Sequence, residues 1–414
     1  MTPGDPPALA SEPPAGPAPR IAQLDIIRGL AVMGILVANL PAFALPAAAY
    51  FSPLAWGGTG VADRAAWFVT FVLVEGKMRG LFSMLFGASM LLVMDRAAVA
   101  GRSPVAVHLA RMAVLFAIGL VHLYLIWWGD ILAHYALVGT IALAFARARI
   151  RLLLFTSAVL LLIDLLLATS VAAMLVATPS PATAPMTAAV VQGFGVPPRG
   201  ELIAEVAAYR TSFVTAARFR IAHAGTPLDG LYIFGLQTLS AMLLGMAAFR
   251  SGFLTGAWSR RAYRRIAVIA LGATLPLYAL LAWHSMAGGF GYRRIFLASI
   301  VLGPVLRPVT TIGYAALALL LLRGDGRWSA RIAAVGRTAF SNYIGTSLAM
   351  LLLFTGAHQF GAWSRASLYL LAPPVWMVML WWSPWWLARF GQGPLERVWR
   401  RLADVPWKMR TRRN

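Results

Sequence analysis

The sequence predicts an all-α, polytopic membrane protein of about ten transmembrane helices, with both termini in the cytoplasm. Three observations predict it. Of the 414 residues, 60% are hydrophobic and only 12% charged, against about 25% charged in a soluble domain. Apolar runs of the length that crosses a hydrocarbon core, about 17–25 residues, recur along the chain. Arginine clusters fall in every second connection between those runs, as expected of loops retained in the cytoplasm.

In chain order, residues 1–19 are rich in Pro and Ala, lack a basic start and an apolar core, and read as a disordered tail rather than a cleavable signal. Ten spans are expected, near 23–46, 65–97, 110–128, 130–147, 152–177, 230–250, 265–286, 295–322, 334–355 and 367–389. Residues 20–177 form an N-terminal membrane bundle and 230–395 a C-terminal one. Between them, 178–229 is an outer loop that begins TPSPATAP and carries an amphipathic helical pattern over 200–223. Residues 396–414 form a basic cytoplasmic tail. The retaining charges include Arg96, Arg102 and Arg111, then Arg147, Arg149 and Arg151, then Arg260, Arg261, Arg264 and Arg265, then Arg323, Arg327 and Arg331, with Lys408 in the tail. The second span is too long for one crossing, and Glu75-Gly76-Lys77 marks where it breaks. One reading places 63–74 at the interface and a true span at about 79–95.

The net charge of +22 is carried between spans, so no nucleic-acid partner is expected; the partner is the lipid bilayer. The absence of cysteine excludes disulfides and thiolate chemistry. Histidines and carboxylates are too scattered for a metal site, and no permanently bound cofactor is expected. Trp381, Trp382, Trp385 and Trp386 read as an interfacial belt.

Ionisable side chains inside apolar spans mark cavities or pairs. Asp25 and Arg28 share a helix face and Asn39 returns to it, either as a polar stripe along a cavity or as an interfacial anchor. Glu75 and Arg79 have the i, i+4 spacing of an ion pair, with Arg79 also suited to hold an anion. Arg111 and His122 share a face, with His122 placed near mid-membrane; it is a candidate general base or a packing residue. Asp130, at the following turn, is a second candidate catalytic residue or a helix N-cap. Asp164 lies mid-span in LLLIDLLLA and needs a partner from another helix. Thr338, Ser341, Asn342 and Gly345 on the ninth span form a natural face for interhelical contacts.

LDIIRGLAVMGILVAN (24–39), EGKMRGLFSMLFGASM (75–90), GLVHLYLIWWGDILAHYAL (119–137), LLGMAAFRSGF (243–253), GRTAFSNYI (336–344) and GPLERVWR (393–400) together resemble the YeiB-like family of bacterial inner-membrane proteins, defined by a C-terminal domain of unknown function. That family is remotely similar to the transmembrane acyltransferase superfamily that includes heparan-alpha-glucosaminide N-acetyltransferase. The shared Asp-x-x-Arg-Gly is matched by Asp25, Arg28 and Gly29. The resemblance implies transfer of an acyl group from cytoplasmic acyl-CoA, as co-substrate, to an envelope glycan or small-molecule acceptor. His122 and Asp130 would be catalytic. Asp25, Arg28, Asn39, Glu75, Arg79, Arg111, Asp164 and Asn342 would bind the donor or substrate. One departure stands out: the histidine that follows the early span in the heparan enzyme has no counterpart in PAFALPAAAYFSPLAWGG (41–58). The alternative is a transporter or flippase using Asp164 and Glu75 as proton or ion sites.

Overall fold

The computed structural model describes residues 21–177, 181–322 and 326–411, with side chains described as far as Asp404. The N-terminal tail, Arg323 and the Lys408 side chain lie outside the described residues. All regular structure among those residues is helical, as it must be where lipid offers no partner for backbone N–H and C=O groups. Among the described residues, nine helices are long and apolar enough to cross a membrane: Ala22–Ala44, Val61–Val99, Pro104–Ile126, Ile150–Val176, Pro227–Arg250, Arg260–Ala287, Tyr292–Leu321, Ala339–Gly356 and Arg365–Phe390. The expected fourth span is the exception. Leu132–Phe145 rises only about 21 Å at 1.5 Å per residue, short of a hydrocarbon core about 30 Å thick.

Helix α1 (Ala22–Ala44) runs from the face that carries the arginine clusters towards the opposite, distal face. The second span is two helices, α2 (Val61–Leu73) and α3 (Lys77–Val99). The expected break falls between them because Gly76 adopts φ +70°, a left-handed conformation open to glycine at little cost. Trp67 and Phe71 bury α2 against Tyr278 on α11 (Arg260–Ala287). α4 (Pro104–Val121) starts at the Ser103 cap with Pro104 in its first turn, as helix starts favour. It continues as a wider π-helical turn to Ile126, and α5 (Leu132–Ala142) returns from it. α6 is Ile150–Val176.

On the distal side, 178–229 is more helical than its turn-like start suggests: α7 (Ala184–Phe194), α8 (Arg199–Thr211) and α9 (Phe213–His223). The 200–223 pattern divides at Ser212, whose hydroxyl caps α9 through the Thr215 N–H. Leu202, Glu205, Val206 and Tyr209 form the buried stripe of α8, the i, i+3, i+4, i+7 spacing of one helix face. The chain continues through α10 (Pro227–Arg250), α11, the short α12 (Tyr292–Phe296), α13 (Gly303–Leu321), α14 (Arg327–Arg337), α15 (Ala339–Leu351), the short α16 (Arg365–Leu368), α17 (Ala372–Phe390) and α18 (Pro394–Thr411).

Two close helix contacts join the halves of the chain. A Cβ on Gly87 of α3 would lie 2.0 Å from the Met242 carbonyl oxygen, and one on Gly245 of α10 would lie 1.8 Å from that of Met84. Small residues let these backbones touch, the usual device where lipid supplies no hydrophobic drive between helices. α1 meets α14 in the same way, Gly29 against Ile332 and Gly336 against Asp25.

Contacts between connections gather the basic clusters on one face. Arg250 donates to the carbonyls of Ala146 and Ala148, Arg102 pairs with Asp404 at 2.7 Å, and Gly256 lies against Gln23. Both ends of the described chain lie on this face.

Candidate functional site

α4 begins at Pro104, six residues before its expected start, which moves His122 from the expected mid-membrane depth. It stands about 27 Å along the helix at 1.5 Å per residue, towards the distal end. There the α-helix widens, and the Trp127 N–H bonds the His122 carbonyl at 2.7 Å. Trp127 then turns to extended backbone and carries the chain to Asp130. This turn brings the His122 Nδ1 within 2.8 Å of Asp130 Oδ1, with both side chains almost wholly buried. Asp130 Oδ2 accepts the Ala133 N–H at 2.8 Å, so the capping and pairing roles are held by the two oxygens of one carboxylate. Trp127 itself is fixed by donating from its indole to the Ala42 carbonyl.

A carboxylate only accepts hydrogen bonds, so Asp130 selects the tautomer with the proton on Nδ1 and leaves the lone pair on Nε2. Nε2 is buried and has no hydrogen-bond partner among the described residues. The rings of Trp127 and Tyr343 flank it, with centroids 6.0 and 5.2 Å from that of His122. Buried Arg220 of α9 donates to the Tyr124 and Leu125 carbonyls at 3.2 and 2.7 Å. A cation at the end of α4 satisfies acceptors that the helix leaves open and complements its dipole. The distal helices thus cover the His122 turn.

A second polar cluster lies deeper. Gln237 Oε1 accepts from Arg307 Nη1 at 2.5 Å and from Arg79 Nη2 at 3.4 Å. Its Nε2 donates to Asp164 Oδ1 at 3.3 Å. The partner that Asp164 needs therefore comes from α10 and not from the ninth span. Next along α10, Thr238 Oγ1 lies 2.9 Å from His134 Nε2. Glu75 and Arg79 do not form the ion pair that helical spacing predicts, because Gly76 breaks the helix between them. Glu75 instead lines a cavity with Tyr50 and Arg365, and Arg79 stacks 4.3 Å from the Phe234 ring centroid.

The remaining candidates lie apart from both clusters. Arg28 pairs with Asp25 at 2.9 Å and donates to Ser89 at 2.7 Å; Asn39 is half-buried about 16 Å further along α1. Arg111 lies 4.3 Å over Trp399, whose indole donates to the Arg111 carbonyl. Asn342 is a packing node: its amide donates to Thr338 and Ser383, and its oxygen accepts from Trp382 at 2.9 Å. That bond turns Trp382 inward from the expected belt, whereas Trp381 stays 65% exposed. Gln237 and Tyr343 are absent from the sequence-derived candidates. Gln237 had a visible signal, as an uncharged but strongly polar amide within an apolar helix; Tyr343 had none beyond its place in GRTAFSNYI.

The fold and its buried ionisable clusters define a polytopic helical membrane protein with a polar interior. The uncharacterized protein YeiB of Escherichia coli (strain K12) is 32% identical over 389 residues, covering 92% of this chain and 95% of YeiB. The uncharacterized protein YxaH of Bacillus subtilis (strain 168) is 30% identical over 413 residues, covering 94% and 95%. Residues 248–406 match the family described as protein of unknown function (DUF418). The chain belongs to the YeiB/YxaH family of multi-pass membrane proteins.

Proposed function

We propose that this chain is an acyltransferase of the bacterial inner membrane. With the short Leu132–Phe145 helix as a shortened tenth crossing, both termini lie in the cytoplasm, and the protein moves an acyl group from acyl-CoA to a hydroxyl or amine of an envelope glycan or small-molecule acceptor. The orientation rests on the arginine clusters gathered on one face, which positive charge retains inside. The single observation that carries the chemistry is the His122–Asp130 pair, which leaves a buried Nε2 without a hydrogen-bond partner among the described residues.

In this reading His122 Nε2 takes the proton of the acceptor as its oxygen or nitrogen attacks the thioester carbonyl. Asp130 stabilises the imidazolium that forms. Collapse of the tetrahedral intermediate breaks the C–S bond, and the His122 Nε2 proton passes to the departing thiolate. Arg28 and Arg111 meet the donor's phosphates from the basic face. Arg111 and His122 share one face of α4 about 16 Å apart along its axis, a separation on the scale of an extended pantetheine arm. The test is purified protein with labelled acetyl-CoA and an envelope extract: label should move to an acceptor with release of free CoA. Failure of wild-type protein to turn over the donor with any fraction of the extract would reject this function.

A transport reading is favoured by a different observation, the break at Val74-Glu75-Gly76 beside Arg307, which Gln237 links to Asp164. Interrupted helices with mid-membrane ionisable groups are how many transporters build a substrate site. Proteoliposomes that move a solute without consuming acyl-CoA would select it.

A further inference from the structure

We propose that Arg79, Gln237 and Arg307 form a phosphate-binding site in the interior of the bundle, separate from the His122–Asp130 pair. The site is built from three helices. Arg79 comes from the first turn of α3, Gln237 from α10 and Arg307 from α13, and they line a cleft that Ser83, Thr238 and Thr311 also border. Counting 1.5 Å per residue from the distal starts of their spans, Pro227 and Tyr292, Gln237 lies about 15 Å deep and Arg307 about 22 Å deep. Leu161 and Pro308, both half-buried, form its rim between α6 and α13.

Charge balance points to an anion. Two guanidinium groups converge on one neutral amide oxygen, and Asp164 reaches them only through the other end of that amide. Glu75 lines the other cavity. The positive end of the α3 dipole lies beside both arginines and does nothing to relieve them. An excess cation is costly at this depth unless something pairs with it. Arg307 is only 7% exposed, and among the described residues its Nε is buried without a hydrogen-bond partner, as is the Thr311 hydroxyl. Gly76 allows the approach: a Cβ there would lie 2.5 to 2.8 Å from the Arg307 guanidinium.

Geometry selects phosphate among anions. A single guanidinium fork satisfies the two oxygens of a planar carboxylate, whereas a tetrahedral phosphate can engage two forks and a hydroxyl at once. The phosphate group could reach the cleft as a soluble ion or ester, or as a lipid headgroup entering between α6 and α13, and the chemistry of recognition is shared.

The experiment uses the full chain in detergent and in nanodiscs. Binding of radiolabelled inorganic phosphate is measured by equilibrium dialysis, and retention of phosphatidylglycerol against phosphatidylcholine by native mass spectrometry. Wild type should bind one phosphate group per chain. Uptake of inorganic phosphate identifies a soluble source, and retention of phosphatidylglycerol alone a lipid source. Arg79→Gln and Arg307→Gln should each weaken binding about tenfold or more, as loss of a charge-assisted fork does. His122→Gln should bind as wild type, which separates this site from the acyl-transfer reading. If Arg307→Gln does not fold, Arg307→Lys keeps a point charge without the fork and should bind several-fold more weakly. The proposal is overturned if neither probe saturates at one per wild-type chain, or if Arg307→Gln or, in its place, Arg307→Lys binds like wild type.

Discussion

Asp130 separates structure from chemistry, because each of its oxygens has one task. Oδ2 accepts the Ala133 N–H at the start of α5, and Oδ1 holds the His122 Nδ1. Asp130→Ala removes both. Loss of an N-cap costs about 0.5–2 kcal/mol, and leaving the buried His122 N–H unpaired costs about 1–3 kcal/mol, so about 1.5–5 kcal/mol of stability should disappear. Asp130→Asn keeps an oxygen for the cap and turns an amide N–H towards Nδ1. Nδ1 must then accept, the proton moves to Nε2, and the base is lost while the hydrogen bond survives. Stability should stay within about 1 kcal/mol of wild type, a single neutral hydrogen bond's worth. Transfer activity should fall by as much as about ten-thousandfold, the scale of tautomer inversion in a Ser-His-Asp site. Thermal unfolding followed by tryptophan fluorescence measures the first quantity, and transfer from labelled acetyl-CoA per folded protein the second. Wild-type activity in Asp130→Asn would refute the tautomer argument, and wild-type stability in Asp130→Ala would refute the capping argument.

The docking of α8 should weaken as pH rises. Burial pushes the Glu205 carboxyl up from its ordinary 4.5 to about 7, against the lowering effect of the Ala47 N–H that it accepts. Because the folded pKa is the higher one, this contribution is complete below about pH 4.5 and is lost as pH rises through about 7. Hydrogen exchange across 199–223 should therefore quicken over that window in wild type and lose the dependence in Glu205→Gln. Gly245→Leu should separate α3 from α10, since even a Cβ there would lie 1.8 Å from the Met84 carbonyl oxygen. A loss of several kcal/mol is expected from such overpacking, and an unchanged unfolding midpoint would contradict the contact. For topology, single cysteines at the exposed positions Thr59 and Ala189 should be labelled from outside the cell. Those at Ala100, Ala257 and Ala330 should be protected; external labelling at Ala257→Cys would invert the orientation.

The membrane class and most span positions are legible in the sequence, because apolar length and arginine placement reflect the bilayer directly. Boundaries carried less information. The α4 start rests on the Ser103 cap and Pro104, local signals that an apolar window overlooks, and the error of six residues shifted the depth assigned to His122. Asp130 was within reach of a sequence reading, being eight residues from His122 across one turn. Its bond to Nδ1 was not, since it depends on the π-turn and the extended Trp127. The Glu75–Arg79 pairing failed for one reason: helical spacing was carried through Gly76, whose left-handed backbone ends the periodicity. Asp164 stands out in its apolar run, and Arg307 lies in another, VLGPVLRPV (301–309), but their meeting through Gln237 is a tertiary fact that no spacing on a single helix encodes.

The central claim is that His122 is a general base held by Asp130. The most direct measurement is the rate of acyl transfer from labelled acetyl-CoA by His122→Gln, normalised to folded protein in the membrane. Glutamine can keep a hydrogen bond in the site but cannot take up a proton near neutral pH, so the rate should fall about a hundredfold or more with the fold retained. Normal specific activity in His122→Gln would contradict the account.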